Sequence, residues 1–238
     1  MFEKIKTISR KHYEDRLKRY GDTPQGVDWH DATSQRLRFQ ILSEVGDLTG
    51  LKVHDVGCGL AHFADFTVEE NLYCAYVGSD ISCKMVETAK QRLPKTQLYT
   101  ADILDNFTPD WMRADYVIAS GIFNVRLHIG QRAWQNFVEA MICRMFDLAD
   151  KGIAFNILTP YNSYKKDELF YLSPAKMLEF CIHNLGSYVV IRHDYPLWEY
   201  TVYVYKNDWR MINGATNGAT NGATNGAANG TATEKNNV

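Results

Sequence analysis

The sequence predicts an α/β protein built on one mostly parallel sheet covered on both faces, and three observations lead there. From Leu51 onward, short apolar runs alternate with helical patterns. Apolar content nearly vanishes after Ile212 of the 238 residues, which leaves about 210 residues for folding, enough for one domain with a full core. The last two apolar runs are separated only by residues 194–199, too few for a crossover helix, so they must pair antiparallel as a hairpin.

Each element follows from its own pattern. Phe2, Ile5, Ile8, Tyr13 and Leu17 stand among charges and predict a surface helix over 2–20. A turn follows at 21–26, rich in glycine with Asp22 and Pro24. Asp31 or Thr33 caps a second helix running to about Val45, with Leu37, Ile41 and Leu42 on its buried side. Strands are expected at 52–56, 74–79, 97–101, 116–120, 152–158, 188–193 and 200–205, with helices at 61–70, 82–93, 130–149 and 173–185. Beyond them the chain repeats Asn-Gly-Ala-Thr, with no apolar side chain large enough to offset the entropy of ordering it. The expected division is therefore N-terminal helices over 1–50, a core over 51–210 and a disordered tail over 211–238.

Charge and composition narrow the function classes. The 26 basic and 28 acidic side chains give a net charge of −2, no field to recruit nucleic acid or an anionic membrane. No apolar run reaches the length of a membrane span, and the N-terminal residues lack the apolar core of a secretion signal. The five cysteines are odd in number and form no CxxC pair, so neither a disulfide framework nor a zinc site is expected. A reduced, cytoplasmic protein with no membrane or nucleic-acid partner is the expectation.

The strongest local signal is Val53-His54-Asp55-Val56-Gly57-Cys58-Gly59-Leu60-Ala61-His62, a strand ending in an acid, a glycine turn and a helix start. Gly57 and Gly59 allow a sharp turn and close approach of a ligand. A dinucleotide fingerprint needs a third glycine at position 62, where His62 stands. Asp55 would repel a pyrophosphate but suits a ligand with a cationic amino group, such as S-adenosylmethionine. Asp80 ends the second strand, twenty-one residues after Gly59, where a carboxylate can accept from both hydroxyls of a ribose. Asp102 follows the third strand and can accept from an exocyclic amine, with Ile81 and Ile103 against the ring faces. Small residues Ser120 and Gly121 end the fourth strand and leave room for the rest of the ligand.

Together, Asp55-x-Gly57-x-Gly59, Asp80, Asp102 and Ser120-Gly121 resemble the motif series of class I S-adenosylmethionine-dependent methyltransferases, over about residues 50–206. The usual third turn glycine of that family is Ala61 here. The resemblance implies a doubly wound, seven-stranded sheet with a C-terminal antiparallel hairpin strand. It also implies S-adenosylmethionine as cofactor, with Asp55, Gly57, Cys58 and Gly59 at its methionine end, Asp80 at the ribose and Asp102 at adenine.

Methyl transfer is an in-line displacement that needs alignment and dryness more than a dedicated side chain. The fourth strand ends Ser120-Gly121-Ile122-Phe123, without the proline-containing motif of adenine and cytosine methyltransferases, which argues against a nucleobase acceptor. A small-molecule acceptor bound at oxygen or nitrogen is expected; protein methylation and cofactor binding without turnover remain open. Residues 20–38 resemble the N-terminal lid of small methyltransferases of natural-product or glycan pathways. His30 reads either as a general base or as a surface histidine at a helix start. Arg38 reads as a fork for the cofactor carboxylate or as an exposed helix arginine. His62 reads as a base or as packing on the sheet. Asn124 and Tyr161 are cleft-edge groups able to orient an acceptor, and Tyr164, Glu168 and Tyr171 lie in an insert suited to a lid. Trp198, Tyr200, Tyr203 and Tyr205 read as hairpin packing.

Overall fold

A computed structural model describes residues 2–207. The tail expected over 211–238 and the last three residues of the expected core lie outside the described residues. Two helices precede the sheet, α1 (Glu3–Tyr20) and α2 (Ala32–Ser43). Between them Pro24–Val27 makes a single 3-10 turn, opened by the Thr23 side chain. Asp31 rather than Thr33 caps α2, its carboxylate accepting from Ser34 N at 2.7 Å.

The core alternates as expected: β1 (Lys52–Val56), α3 (His62–Glu69), β2 (Ala75–Asp80), α4 (Cys83–Arg92), β3 (Gln97–Thr100), β4 (Ala114–Ala119), α5 (Gln131–Leu148), β5 (Ala149–Leu158), α6 (Pro174–Asn184), β6 (Val189–Arg192) and β7 (Glu199–Tyr205). The sheet order is β3-β2-β1-β4-β5-β7-β6. All neighbours through β5 pair parallel, and β7 runs antiparallel to both β5 and β6. The hairpin therefore folds back, so that its second strand fills the slot beside β5.

Side chains alternate between the two faces along each strand, and the two main apolar clusters record this. Val117 and Ala119 of β4, Ile153 and Phe155 of β5, and Val202 and Val204 of β7 pack with Val138, Ile142 and Met145 of α5. Tyr116 and Ile118, Ala154, and Tyr203 and Tyr205 pack on the other face with Phe39 and Leu42 of α2 and Phe63 and Phe66 of α3. The order of strands matters for function because it reverses direction at β1. The strand outward to one side is β2, and to the other β4, so their following loops part and leave a crevice at the carboxyl ends. Asp55, Asp80 and Ser120 all stand at that edge.

A roofed cleft at the carboxyl edge of the sheet

The turn after β1 sets the floor of the cleft. Gly57, Gly59 and Ala61 all take positive φ, at 70°, 54° and 57°. Left-handed backbone is what the third turn position demands, and Ala61 meets that demand without glycine's freedom. A Cβ at Gly57 would stand 2.4 Å from the Ile122 side chain, so the close approach of these two loops requires glycine there. Gly57 N and Cys58 N both donate to Ser79 O, and Gly59 N donates to Asp80 Oδ2 at 3.0 Å, tying the turn to the end of β2.

Asp55 is 3% exposed and lines a cavity of about 730 Å³ above this turn. Its carboxylate accepts from the Tyr76 hydroxyl at 2.9 Å. Burial, opposed only by that hydroxyl and reinforced by the negative Asp80, pushes its pKa up to about 7. No basic side chain among the described residues relieves it, so the site suits a ligand that brings its own positive charge. Asp80 is likewise raised by burial while accepting from Ser82 N at 2.7 Å and Gly59 N. Each of its oxygens keeps a lone pair for a ligand hydroxyl. Beside this end lies a second cavity of about 90 Å³, bounded by Ile81, Asp102 and Ile103.

The roof comes from the N-terminal helices. The Trp29 indole lies against Gly121, and the Arg38 guanidinium stacks on that indole at 4.1 Å. Arg38 Nε donates to Glu199 Oε2 at 2.8 Å and its terminal nitrogen to Ser34 O. Glu199 is fully buried and accepts from Asn156 Nδ2 at 3.0 Å, while Asn156 Oδ1 accepts from Gly121 N at 2.7 Å. Arg38 thus faces the cavity as expected, but its fork is held by Glu199, a partner that the sequence reading missed. Nothing local to Glu199 or Asn156 advertises the pairing, because 161 residues separate Glu199 from Arg38.

A second tether closes the other side. Asp22 in the turn after α1 accepts from Arg92 Nε at 2.7 Å and from His62 Nε2 at 2.8 Å; His62 Nδ1 accepts from Gln35 at 3.1 Å. His62 therefore ties roof to core through both ring nitrogens. Lys6 of α1 pairs with Asp102, and Lys84 with Glu14 at 2.7 Å.

The remaining expected groups separate. Asn124 is 6% exposed, lines the large cavity, and its Oδ1 is buried without a partner. Ser120 Oγ and Asn162 Oδ1 are unpartnered in the same way and line the same cavity. His30 stands at the rim with its side chain 96% exposed and its Nδ1 on Asp31, so the helix-start reading describes it better than the general-base one. Tyr161 is 70% exposed and lies outside the cavity; Asn162 and Tyr164 take the wall it was expected to form. Tyr171 and Glu168 line the cavity as the insert reading expects. Tyr200, Tyr203 and Tyr205 are core, as expected of a hairpin, but Trp198 is 59% exposed at the cavity mouth.

Similarity to known proteins agrees with this geometry. A family described as "Methyltransferase domain" matches residues 54–141. A methyltransferase-family protein of Mycobacterium tuberculosis, Rv1506c, is 33% identical over 156 residues, 65% of this chain and 92% of its own length. The chain belongs to the methyltransferase family. Trans-aconitate 2-methyltransferase of Rhodopseudomonas palustris is 29% identical over 106 residues, 41% of this methyltransferase and 40% of that protein. Two solved structures share the fold. One is magnesium protoporphyrin IX methyltransferase from Synechocystis PCC 6803 with bound S-adenosylmethionine, at TM-score 0.59 and 20% identity over 85% of this chain and 97% of that one. The other is 1,6-didemethyltoxoflavin-N1-methyltransferase from Burkholderia thailandensis with bound S-adenosylhomocysteine, at TM-score 0.57 and 12% identity over 85% and 88%. S-adenosylmethionine is the methyl donor of this family. No helix of the described residues is long and apolar enough to cross a membrane.

Proposed function

We propose that the chain transfers the methyl group of S-adenosylmethionine to an oxygen or nitrogen of a small molecule held beneath the N-terminal segment. One observation carries the reading. A single cavity of about 730 Å³ joins the acidic floor at Asp55 and Asp80 to a separate wall of Asn124, Tyr164, Tyr171 and Trp198, under the roof of Trp29. That volume lies within the range of sites that enclose small ligands. A cofactor-binding module without turnover has no use for the second wall. A protein acceptor wants an open, shallow groove, and the tethered roof weighs against that.

In this reading Asp55 holds the cofactor's ammonium, and Gly57, Cys58 and Gly59 give room to its methionine end. Asp80 accepts from the ribose, and Asp102 with Ile81 and Ile103 meets the adenine. Ser120 and Gly121 border the transfer site, and Arg38 shapes it through Trp29. The cofactor supplies a methyl group already activated on a sulfonium. The chain's own contribution is alignment and exclusion of water. Asn124 Oδ1 would accept from the N–H or O–H of the acceptor and turn the acceptor's lone pair toward the methyl group; the carbon–sulfur bond breaks as the new bond forms, S-adenosylhomocysteine leaves, and the acceptor's proton passes to solvent. The aromatic faces of Tyr164, Tyr171 and Trp198, beside the side-chain amides of Asn124 and Asn162, suit a hydroxylated ring of natural-product or glycan type. The small-molecule enzymes among the named relatives are in keeping with this. We place the enzyme in the cytoplasm, where its five unpaired thiols stay reduced.

Calorimetric titration with S-adenosylhomocysteine, with NADH as control, tests the reading. Micromolar binding of the first and not the second is expected. Binding of NADH alone would return the fold to a dehydrogenase reading.

A further inference from the structure

The small cavity of about 90 Å³ is continuous in its lining with the large one, sharing Tyr13, Gly57, Asp80 and Ile122. Ile81, Ile103 and Ile122 from the core and Phe137 and Met141 from α5 make most of its walls apolar. Its volume suits a fragment of a ligand rather than a whole one. Lys6, Arg10, Ser79 and Ser82 also line it, and two further polar groups enter it besides Asp80. Asp102 comes from the core, with Oδ1 accepting from Leu104 N at 2.9 Å and the other oxygen paired with Lys6. Ser9 comes from α1, and its Oγ is buried with no hydrogen-bond partner.

That hydroxyl is unusual for its position. A serine inside a helix ordinarily turns its hydroxyl back to the carbonyl four residues earlier or out to water. Ser9 does neither. A buried hydroxyl without a partner costs roughly as much as a lost hydrogen bond, and it persists where a ligand completes it. The group that fits is flat, apolar on both faces and able to hydrogen-bond at its edge. The Lys6 ammonium is already held by Asp102 and Glu3.

We propose that Ser9 of α1 is a hydrogen-bonding ligand of the cofactor's adenine base, so that the roof helix completes a nucleobase pocket which the core leaves unfinished. This rests on the cofactor reading above. Its consequence is that α1 takes part in cofactor binding as well as in covering the acceptor. The cofactor and the docked helix then stabilise each other, because the docked helix without the cofactor leaves the Ser9 hydroxyl unmatched.

The test is calorimetry on the full chain carrying Ser9→Ala. The probes are S-adenosylhomocysteine and its base analogues that each lack one polar atom, at N1, N3, N7 or the 6-amino group. Alanine is a good helix residue, so the melting temperature should stay close to that of the unsubstituted protein. S-adenosylhomocysteine should bind about tenfold more weakly to the variant, the loss for one unmatched polar group. For one analogue, and only one, the variant and the unsubstituted protein should bind alike, which names the base atom that Ser9 meets. Equal affinity of the two proteins for S-adenosylhomocysteine overturns the assignment. So does a loss of the same size for every analogue, which would mean that α1 simply packs less well. If the unsubstituted protein itself fails to bind S-adenosylhomocysteine, the cofactor reading falls and takes this one with it.

Discussion

Trp29 occupies the space in which a side chain at residue 121 would begin: a Cβ built on Gly121 would stand 2.2 Å from the far edge of the indole. The same glycine has φ of 74° and gives its N–H to Asn156. The contact closes a ring that runs from Trp29 through Arg38, Glu199 and Asn156 back to Gly121. Two members belong to the roof and three to the sheet edge, so the roof is held by a shape fit and a buried charge together.

Gly121→Ala should therefore undock the roof. Left-handed strain and the clash with the indole together should cost about 1–3 kcal/mol. Proteolysis between α1 and α2 should speed up in the variant. Adding Trp29→Ala should recover part of the loss, because it removes the clash; a strictly additive double variant would show that the two residues do not meet.

Arg38→Ala should be more damaging than an exposed arginine would suggest. It leaves the fully buried Glu199 without its cation, a loss of about 3–5 kcal/mol for one partner of a buried pair. Burial already raises the Glu199 pKa while Arg38 and Asn156 oppose that rise. Urea unfolding at neutral pH measures it, and a cost below about 1 kcal/mol would mean the pair is open to water.

Neighbouring His54 and Asp55 should give opposite pH dependences. His54 is buried, donates to Met112 O and accepts from Ser79 Oγ, and burial pushes its pKa down to about 4 from an unfolded 6.5. Its contribution is present above pH 6.5 and lost as pH falls toward 4. Asp55 is raised to about 7 from 3.8, so its contribution is present below pH 3.8 and lost as pH rises through 7. Between pH 4 and 6.5 the two slopes oppose each other. Asp55→Asn should remove one of the slopes that oppose His54, so that stability rises more steeply with pH across this window than in the unsubstituted protein.

The same shift couples Asp55 to the cofactor. An ammonium beside the carboxylate favours its ionised form, so S-adenosylhomocysteine should bind more tightly as pH rises toward 7 and should release a proton below that pH. Titrations in two buffers of different ionisation enthalpy measure the proton. Release of none would mean that the ammonium sits elsewhere.

Asp80→Ala should weaken S-adenosylhomocysteine binding by about 1–3 kcal/mol. Asn124→Ala should leave that affinity unchanged and lower kcat/KM for the acceptor by about tenfold, if its buried, unpartnered carbonyl oxygen meets the acceptor as proposed. Equal loss of both functions in the second variant would place Asn124 with the cofactor instead.

Much of this was legible because the signals were local. A strand at 52–56 and its glycine turn, and the helix after it, are set by neighbours in sequence, and β1 and the start of α3 came out within a residue of the expectation. The positions of Asp55, Asp80 and Asp102 were legible for the same reason: each lies within two residues of the end of a strand, so the strand pattern carries it to the sheet edge. The placement of His30 at the cavity rim and of Tyr161 outside it was not legible, because it depends on how the flanking loop turns, and period and composition do not encode that.

By itself the sequence determined the α/β alternation, the hairpin return and the row of acids along one edge of the sheet, since these follow from periodicity, connection length and strand ends. Only the tertiary structure decided that Arg38 would serve Glu199, that His62 would latch Asp22, and that Ser9 would reach the pocket beside Asp102. Those pairings join residues far apart in the chain. Their formation depends on the docking of α1 and α2 over the sheet, a result of packed shape and buried charge that no local pattern records.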